Sequence, residues 1–209
     1  METTFDQLIK KIANGFNKPL PGVVSHNKMA ARSNLKLPET FNKKTKKSAV
    51  LILLYPDENT IKIPFILRPP YDGMHGGQVA FPGGRMELTD ENLFRTALRE
   101  AQEEVGIRIA DVNLIGSLTE LYIPISNYLV LPVVGWMNKK PDFYPDPIEV
   151  DSILEINYST LVNPAIVKEE ILIVRGAEIQ APLFDVGEHK IWGATAMMIS
   201  EFLDLIHRN

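Results

Sequence analysis

The chain has 209 residues and a formal net charge of −4, from 26 acidic against 22 basic side chains. That length suits one well-filled domain with some additions, and the acidic balance argues against a general nucleic-acid binder, which would show a basic face. There is no cysteine, hence no disulfide, thiol nucleophile or thiolate metal site, and no apolar run approaches the roughly 18–20 residues of a membrane helix.

Met1–Gln7 lacks the basic start and apolar core of a secretory signal, so a cytoplasmic protein is expected. Residues 4–16 predict an amphipathic helix. Thr4 and Gln7 have capping-box spacing, and Phe5, Leu8, Ile9, Ile12 and Phe16 fall on one side. Lys18-Pro19-Leu20-Pro21-Gly22 then breaks it. Residues 1–45 are expected to form this helix and an arm that packs on the main domain, residues 46–209, or on a second subunit, which makes a homodimer one expectation. Lys43, Lys44, Lys46 and Lys47 form a basic run before the first strong strand signal. It reads either as a solubilising loop beside a sheet edge or as help with an anionic substrate. Strands are predicted at Ala49–Leu54 and Ile61–Leu67, with Pro56-Asp57-Glu58-Asn59 as the turn. Arg68 closes the second strand.

The stretch from Phe81 to Ile107 is the most informative. It reads as a tight Gly83-Gly84 turn, a short loop and a helix. The helix should begin near Thr89 or Asp90, either of which can cap free N–H groups, with Asp90 and Glu91 in a first turn where the dipole favours acids. Gly106 is its natural stop. Leu93, Ala97, Leu98, Ala101 and Val105 make one apolar face. On the adjoining face Glu100 and Glu104 are one turn apart, with Glu103 beside them and Arg99 four residues before Glu103. Like charges at that spacing destabilise a bare helix by roughly 0.2–0.5 kcal/mol per pair. A hard divalent cation would reverse the sign of that interaction, because it seeks carboxylate oxygens. A solvated acidic face is the other reading of the same residues.

Beyond Ile107, Val112–Glu120 and Tyr128–Gly135 read as strands joined by a turn at Pro124. Pro141–Pro147 makes a loop, and Ile148-Glu149-Val150 is expected to begin another strand. Ser159–Asn163 predicts a helical turn, and Ile171–Val174 with Ala177–Leu183 a hairpin. Met198, Ile199, Phe202, Leu203 and Ile206 have helical spacing within Ala194–His207. There is no internal repeat and no linker. Periodicity alone specifies a mixed α+β domain.

Arg99-Glu100-Ala101-Gln102-Glu103-Glu104-Val105-Gly106-Ile107 matches the second half of the Nudix box at every position, and the chain resembles that superfamily. The first half departs by one residue: six residues, not five, separate Gly84 from Glu91, and Asp90 sits at the usual spacing. Gly77-Gln78-Val79-Ala80-Phe81-Pro82-Gly83-Gly84 looks like the signature of coenzyme A pyrophosphatases, a subgroup that carries the same longer spacing. The resemblance covers about residues 49–207 and is strongest at 77–107.

It implies an α+β fold, the Nudix α/β/α sandwich with a mixed β-sheet between helices. It implies a hydrolase that uses Mg²⁺ or Mn²⁺ on a small-molecule substrate with a diphosphate; the acidic balance and the lack of a long apolar run leave neither nucleic acid nor membrane as an expected partner. The subgroup implies cleavage of coenzyme A or its derivatives to 3′,5′-ADP and 4′-phosphopantetheine. An ADP-ribose or NADH pyrophosphatase, or a catalytically silent nucleotide-binding module, are the alternatives. On this resemblance Glu100, Glu103 and Glu104 are the metal ligands, with Glu103 also a candidate base. Arg99 orients the glutamates, and Glu149 helps with a second metal or with water. Arg68, Gln78, Gly83 and Gly84 are the other candidate binding residues. Arg68 either reaches a phosphate, whose oxygens suit its fork, or pairs with a carboxylate of the box. The lysine run becomes a candidate for a ribose 3′-phosphate, and Tyr128 either stacks on a base or fills the core. The subgroup's second arginine is replaced by Gly73, and His75 lies close by.

Overall fold

β1 (Lys46–Asp57) is the strand on which the molecule is assembled. Its apolar run is almost unbroken because both of its faces are buried, a pattern typical of an interior strand. Ala49, Leu51, Leu53 and Tyr55 point to one layer, and Ile52 and Leu54 to the other. In this computed structural model residues 4–32, 41–42, 44–70, 76–174 and 176–207 are described. Lys43, Gly73 and His75 lie outside them.

Around β1 the pairing is mixed. β7 (Tyr128–Trp136) runs parallel to it along nine residue pairs from Lys46↔Tyr128 to Leu54↔Trp136. β2 (Thr60–Leu67) pairs antiparallel with its end, and β4 (Gly83–Arg85) antiparallel with its start. β3 (Val79–Ala80) and β8 (Ser152–Asn157) extend from β2, while β5 (Asn113–Ser117) and β6 (Leu121–Ile123) pair with β7. β9 (Val167–Val174), β10 (Ala177–Asp185) and β11 (Lys190–Trp192) make a second, antiparallel sheet of three strands.

The helices cover both faces of the larger sheet. α1 (Phe5–Phe16) forms the predicted helix with its capping box, Thr4 and Gln7 each bonding the other's backbone N–H. α2 (Val23–Lys28) is a short helix that the proline-rich segment did not announce. α3 (Leu93–Val105) lies on one face, where Ala97, Leu98, Ala101 and Val105 are buried against Leu51 and Leu53. α4 (Tyr158–Leu161) is a single turn after β8. α5 (Gly193–His207) joins α1 on the opposite face, burying Met198, Ile199, Phe202 and Leu205 with Leu8 and Ile12. Each such side chain contributes about 1.5–3 kcal/mol on burial. The result is the α/β/α sandwich with a mixed sheet between helices. No described helix is long and apolar enough to cross a membrane.

A buried polar knot fixes the N-terminal arm to α5. Glu201, fully buried, accepts hydrogen bonds from Gly22 N at 3.0 Å and Thr119 Oγ1 at 2.7 Å, with His26 Nε2 at 2.8 Å. The segment Ile148-Glu149-Val150, expected to begin a strand, does not. Asp146 Oδ1 instead accepts from Ile148 N at 2.7 Å and Glu149 N at 3.1 Å, a side-chain turn of the kind aspartate favours. The strand starts only at Ser152.

Candidate active site

The two glycines form part of a strand rather than a free turn. β4 pairs with β1 so closely that a Cβ on Gly83 would stand 2.4 Å from Ala49 O. A Cβ on Gly84 would stand 2.3 Å from Glu100 Oε2. The missing side chain at Gly84 is therefore the space that the Glu100 carboxylate occupies. Gly83 N donates to Glu104 Oε2 at 2.7 Å. The glycine pair thus receives both glutamates, one through absent volume and one through a backbone donor.

Placement of the helix follows from what holds Asp90. The helix was expected to start at Thr89 or Asp90, but Asn92 caps it, its side chain accepting from Arg95 N at 3.1 Å. Asp90 is engaged elsewhere. It accepts from Arg99 Nε and Nη2, from Thr96 Oγ1 at 3.0 Å and from Glu87 N at 2.9 Å. These donors, the arginine foremost, hold its carboxyl well below the usual carboxylate range. Glu91, one residue on, makes only an exposed 3.8 Å pair with Arg95. Gly106 ends the helix in the left-handed conformation, as expected.

Arg99 also reaches Glu100 at 2.9 Å and Glu103 at 2.8 Å. One guanidinium therefore holds three carboxylates. Glu104 is only 1 % exposed, and burial pushes its carboxyl up to about 7, against the opposing pull of Arg68 and the Gly83 N–H. Glu100 is likewise raised by burial, with Arg99 opposing. The charge of Glu149 is felt at both.

These groups open onto a cavity of about 510 Å³. Part of its lining is Arg68, Gln78, Gly83, Gly84, Arg85, Glu100, Glu104 and Glu149. The rest is largely apolar and comes from several elements: Ile123 of β6, Tyr128 and Val130 of β7, Ile179 of β10, Trp192 of β11 and Met198 of α5. Of the residues singled out in the sequence, the structure gathers Arg68, Gln78, Gly83, Gly84, Glu100, Glu104 and Glu149 here. Glu103 is outside the lining, with a side chain 57 % exposed and held by Arg99. Arg68 Nη2 lies 3.6 Å from Glu104 Oε1 and donates to Gly83 O at 3.3 Å, so its pairing with a box carboxylate is the arrangement present. Tyr128 stands on the cavity wall, and Lys46 Nζ lies 5.3 Å from its ring centroid.

Sequence reasoning missed Arg85, Ser48 and the wall of Ile179, Trp192 and Met198. Arg85 directly follows the glycine pair, which was a usable signal. The wall had none, because its members come from strands and a helix far apart in the chain.

Among the described residues no three histidine, aspartate or glutamate side chains converge into a ready metal cage. The donor set still fits Mg²⁺, which binds through one or two carboxylates and completes its shell with water and substrate phosphate. Glu100 and Glu104, side by side at the glycine strand, are such a pair.

A family model of the NUDIX domain matches residues 45–134. An uncharacterized Nudix hydrolase, NudL, of Yersinia pestis is 30 % identical over 197 residues, covering 92 % of each chain. The NudL of Photorhabdus laumondii is 35 % identical over 127 residues, 61 % of this chain and 67 % of its own. Among solved structures, a MutT/nudix family protein from Enterococcus faecalis aligns with 98 % of this chain and 74 % of its own, at a TM-score of 0.50 and 15 % identity; that likeness concerns the fold alone. Identity of 30 % sustained across nearly the whole of both chains settles the family: the protein belongs to the Nudix hydrolases.

Proposed function

We propose that the protein hydrolyses the diphosphate of coenzyme A or a derivative, releasing 3′,5′-ADP and a 4′-phosphopantetheine product, with Mg²⁺ or Mn²⁺. The observation that carries the reading is that one cavity is lined both by Glu100 and Glu104 and by apolar side chains of several elements. A diphosphate that bears a long organic arm suits both kinds of lining at once. The Gly77–Gly84 segment, which resembles the coenzyme A pyrophosphatase signature, supports the same substrate.

In this reading Glu100 and Glu104 hold the metal, and Glu103 is a further ligand or the base. When bound, the ion neutralises phosphate charge and lowers the pKa of water. The protein's own groups prepare the site. Gly83 N fixes one oxygen of Glu104, and Gly84 leaves room for Glu100 against the strand. Arg99 acts as the positioning residue that sets the acidic side chains. Arg68, beside Glu104, offers its remaining donors to a phosphate oxygen. Glu149 lines the cavity from the turn held by Asp146 and orients water or takes a proton.

The test is a substrate panel of coenzyme A, NADH, ADP-ribose, dinucleoside polyphosphates and nucleoside triphosphates with purified protein and Mg²⁺. Turnover of coenzyme A ahead of the others is expected. Rapid turnover of another member with coenzyme A untouched would overturn the assignment, and no turnover of any member would favour a silent nucleotide-binding module.

A further inference from the structure

We infer that Lys46, Ser48, Arg85 and Tyr128 form a subsite for a second, non-scissile phosphate carried on the ribose of the bound nucleotide. The inference rests on the proposed coenzyme A reading for the identity of the ligand, but its geometry is independent of the glutamates. Strand register places the four on one face of the sheet. Lys46 is opposite Tyr128 and Ser48 is opposite Arg85, and partners in register point to the same side. Lys46 and Ser48 are two residues apart on β1, roughly 7 Å along the strand. Ser48, Arg85 and Tyr128 line the cavity, and Lys46 reaches over the Tyr128 ring.

The charges of this group are uncommitted. Arg99 is occupied by three carboxylates and Arg68 by Glu104 and Gly83 O. Arg85 is exposed, and among the described residues its guanidinium has no carboxylate partner; only its carbonyl is held, by Arg99 Nη2 at 3.0 Å. Lys46 has the aromatic ring and no ion pair among the described residues. In a chain of net charge −4, two such cations on one face of the sheet, Arg85 lining the cavity and Lys46 beside its Tyr128 wall, are the natural place for a dianion. Arg85 supplies a planar fork suited to phosphate oxygens and Lys46 a point charge. Tyr128 keeps Lys46 beside the cavity wall by holding its ammonium over the ring. The basic run of the sequence is thereby narrowed to one of its members, Lys46, joined by an arginine from another strand.

The experiment compares binding of adenosine 3′,5′-bisphosphate, adenosine 2′,5′-bisphosphate and 5′-AMP to wild type, Arg85→Gln and Lys46→Gln by calorimetry without metal. Wild type should bind a bisphosphate about 10-fold or more tighter than 5′-AMP, equivalent to one good charge-assisted contact. Each variant should lose most of that preference while keeping its 5′-AMP affinity and melting temperature. A preference for the 3′ isomer agrees with coenzyme A. A preference for the 2′ isomer keeps the subsite and overturns the substrate reading. Equal loss of all three ligands would place these cations on the 5′-phosphate and overturn the subsite, as would variants that bind like wild type. Failure of coenzyme A turnover with the preference intact would count against the proposed function alone.

Discussion

Arg99 binds Asp90 with both ends of its fork: Nε to Oδ1 at 2.9 Å and Nη2 to Oδ2 at 2.9 Å. The residue that enters the box's arginine cluster is therefore Asp90, at the usual spacing from Gly84, and not Glu91. The extra residue of the first half is absorbed by a glutamate that points to solvent. Asp90→Asn removes the anionic half of a bidentate pair whose aspartate side chain is only 5 % exposed. Stability should fall by about 1–3 kcal/mol, read from urea unfolding. Turnover should fall about 10-fold or more with KM nearly unchanged, since Arg99 would no longer hold Glu100 and Glu103 in place. Glu91→Gln should change neither quantity, and a loss there equal to that of Asp90→Asn would refute the assignment.

The two glycines should fail differently. Alanine at Gly84 meets the end of the Glu100 side chain, at 2.3 Å from Oε2, which can swing away. The fold should survive, and turnover should fall about 100-fold as Glu100 is displaced. Alanine at Gly83 meets backbone, Ala49 O at 2.4 Å and Val50 Cα at 2.5 Å. That clash cannot relax without parting β1 from β4, and should cost on the order of 2–4 kcal/mol. Paired melting curves and initial rates separate the two. Gly84→Ala with full activity would remove the link between that strand and Glu100.

Much of this is legible in the sequence wherever its cause is local. The capping box of α1, the left-handed stop at Gly106 and the apolar face of α3 are local, and appear as written. The reach of Arg99 to Glu103 was visible because residues four apart on a helix are neighbours. Its reach to Asp90 was not, since Asp90 looked like the cap of the same helix. Only the fold shows that Arg99 and Thr96 compete for its carboxylate and leave Asn92 to do the capping. Likewise Glu149 was expected on a strand because Ile148 and Val150 flank it, while the turn is imposed by Asp146. The apolar wall is tertiary throughout: Ile123, Ile179 and Trp192 line one cavity only because β6, β10 and β11 are brought together by the fold. The knot at Glu201 was equally hidden, since helical spacing marks its neighbours Met198 and Phe202 but says nothing of His26 or Thr119.

That knot predicts a pH dependence of stability. Burial alone would raise the Glu201 carboxyl, but hydrogen bonds from His26, Thr119 and Gly22 N outweigh it, and the net shift is downward. A carboxylate whose folded pKa lies below its unfolded value stabilises the fold above the unfolded value, about 4.3. The contribution is lost as pH falls through the folded value. Glu201→Gln should therefore be less stable than wild type by roughly 1–3 kcal/mol at pH 7. The gap should narrow as pH drops below about 4, close to the unfolded glutamate value. Urea titrations at both pH values measure it; a gap of constant size would show that the charge of Glu201 is not what binds the arm.

Purified wild type and Glu104→Gln, each incubated with coenzyme A and Mg²⁺, are compared by identifying their products by mass. Glutamine keeps an oxygen to accept from Gly83 N, so the variant should fold and melt like wild type. Wild type should yield 3′,5′-ADP and 4′-phosphopantetheine in equal amounts, and Glu104→Gln neither. Intact coenzyme A in the wild-type reaction would contradict the assigned substrate, and equal rates from the two proteins would contradict a role for Glu104 at the metal.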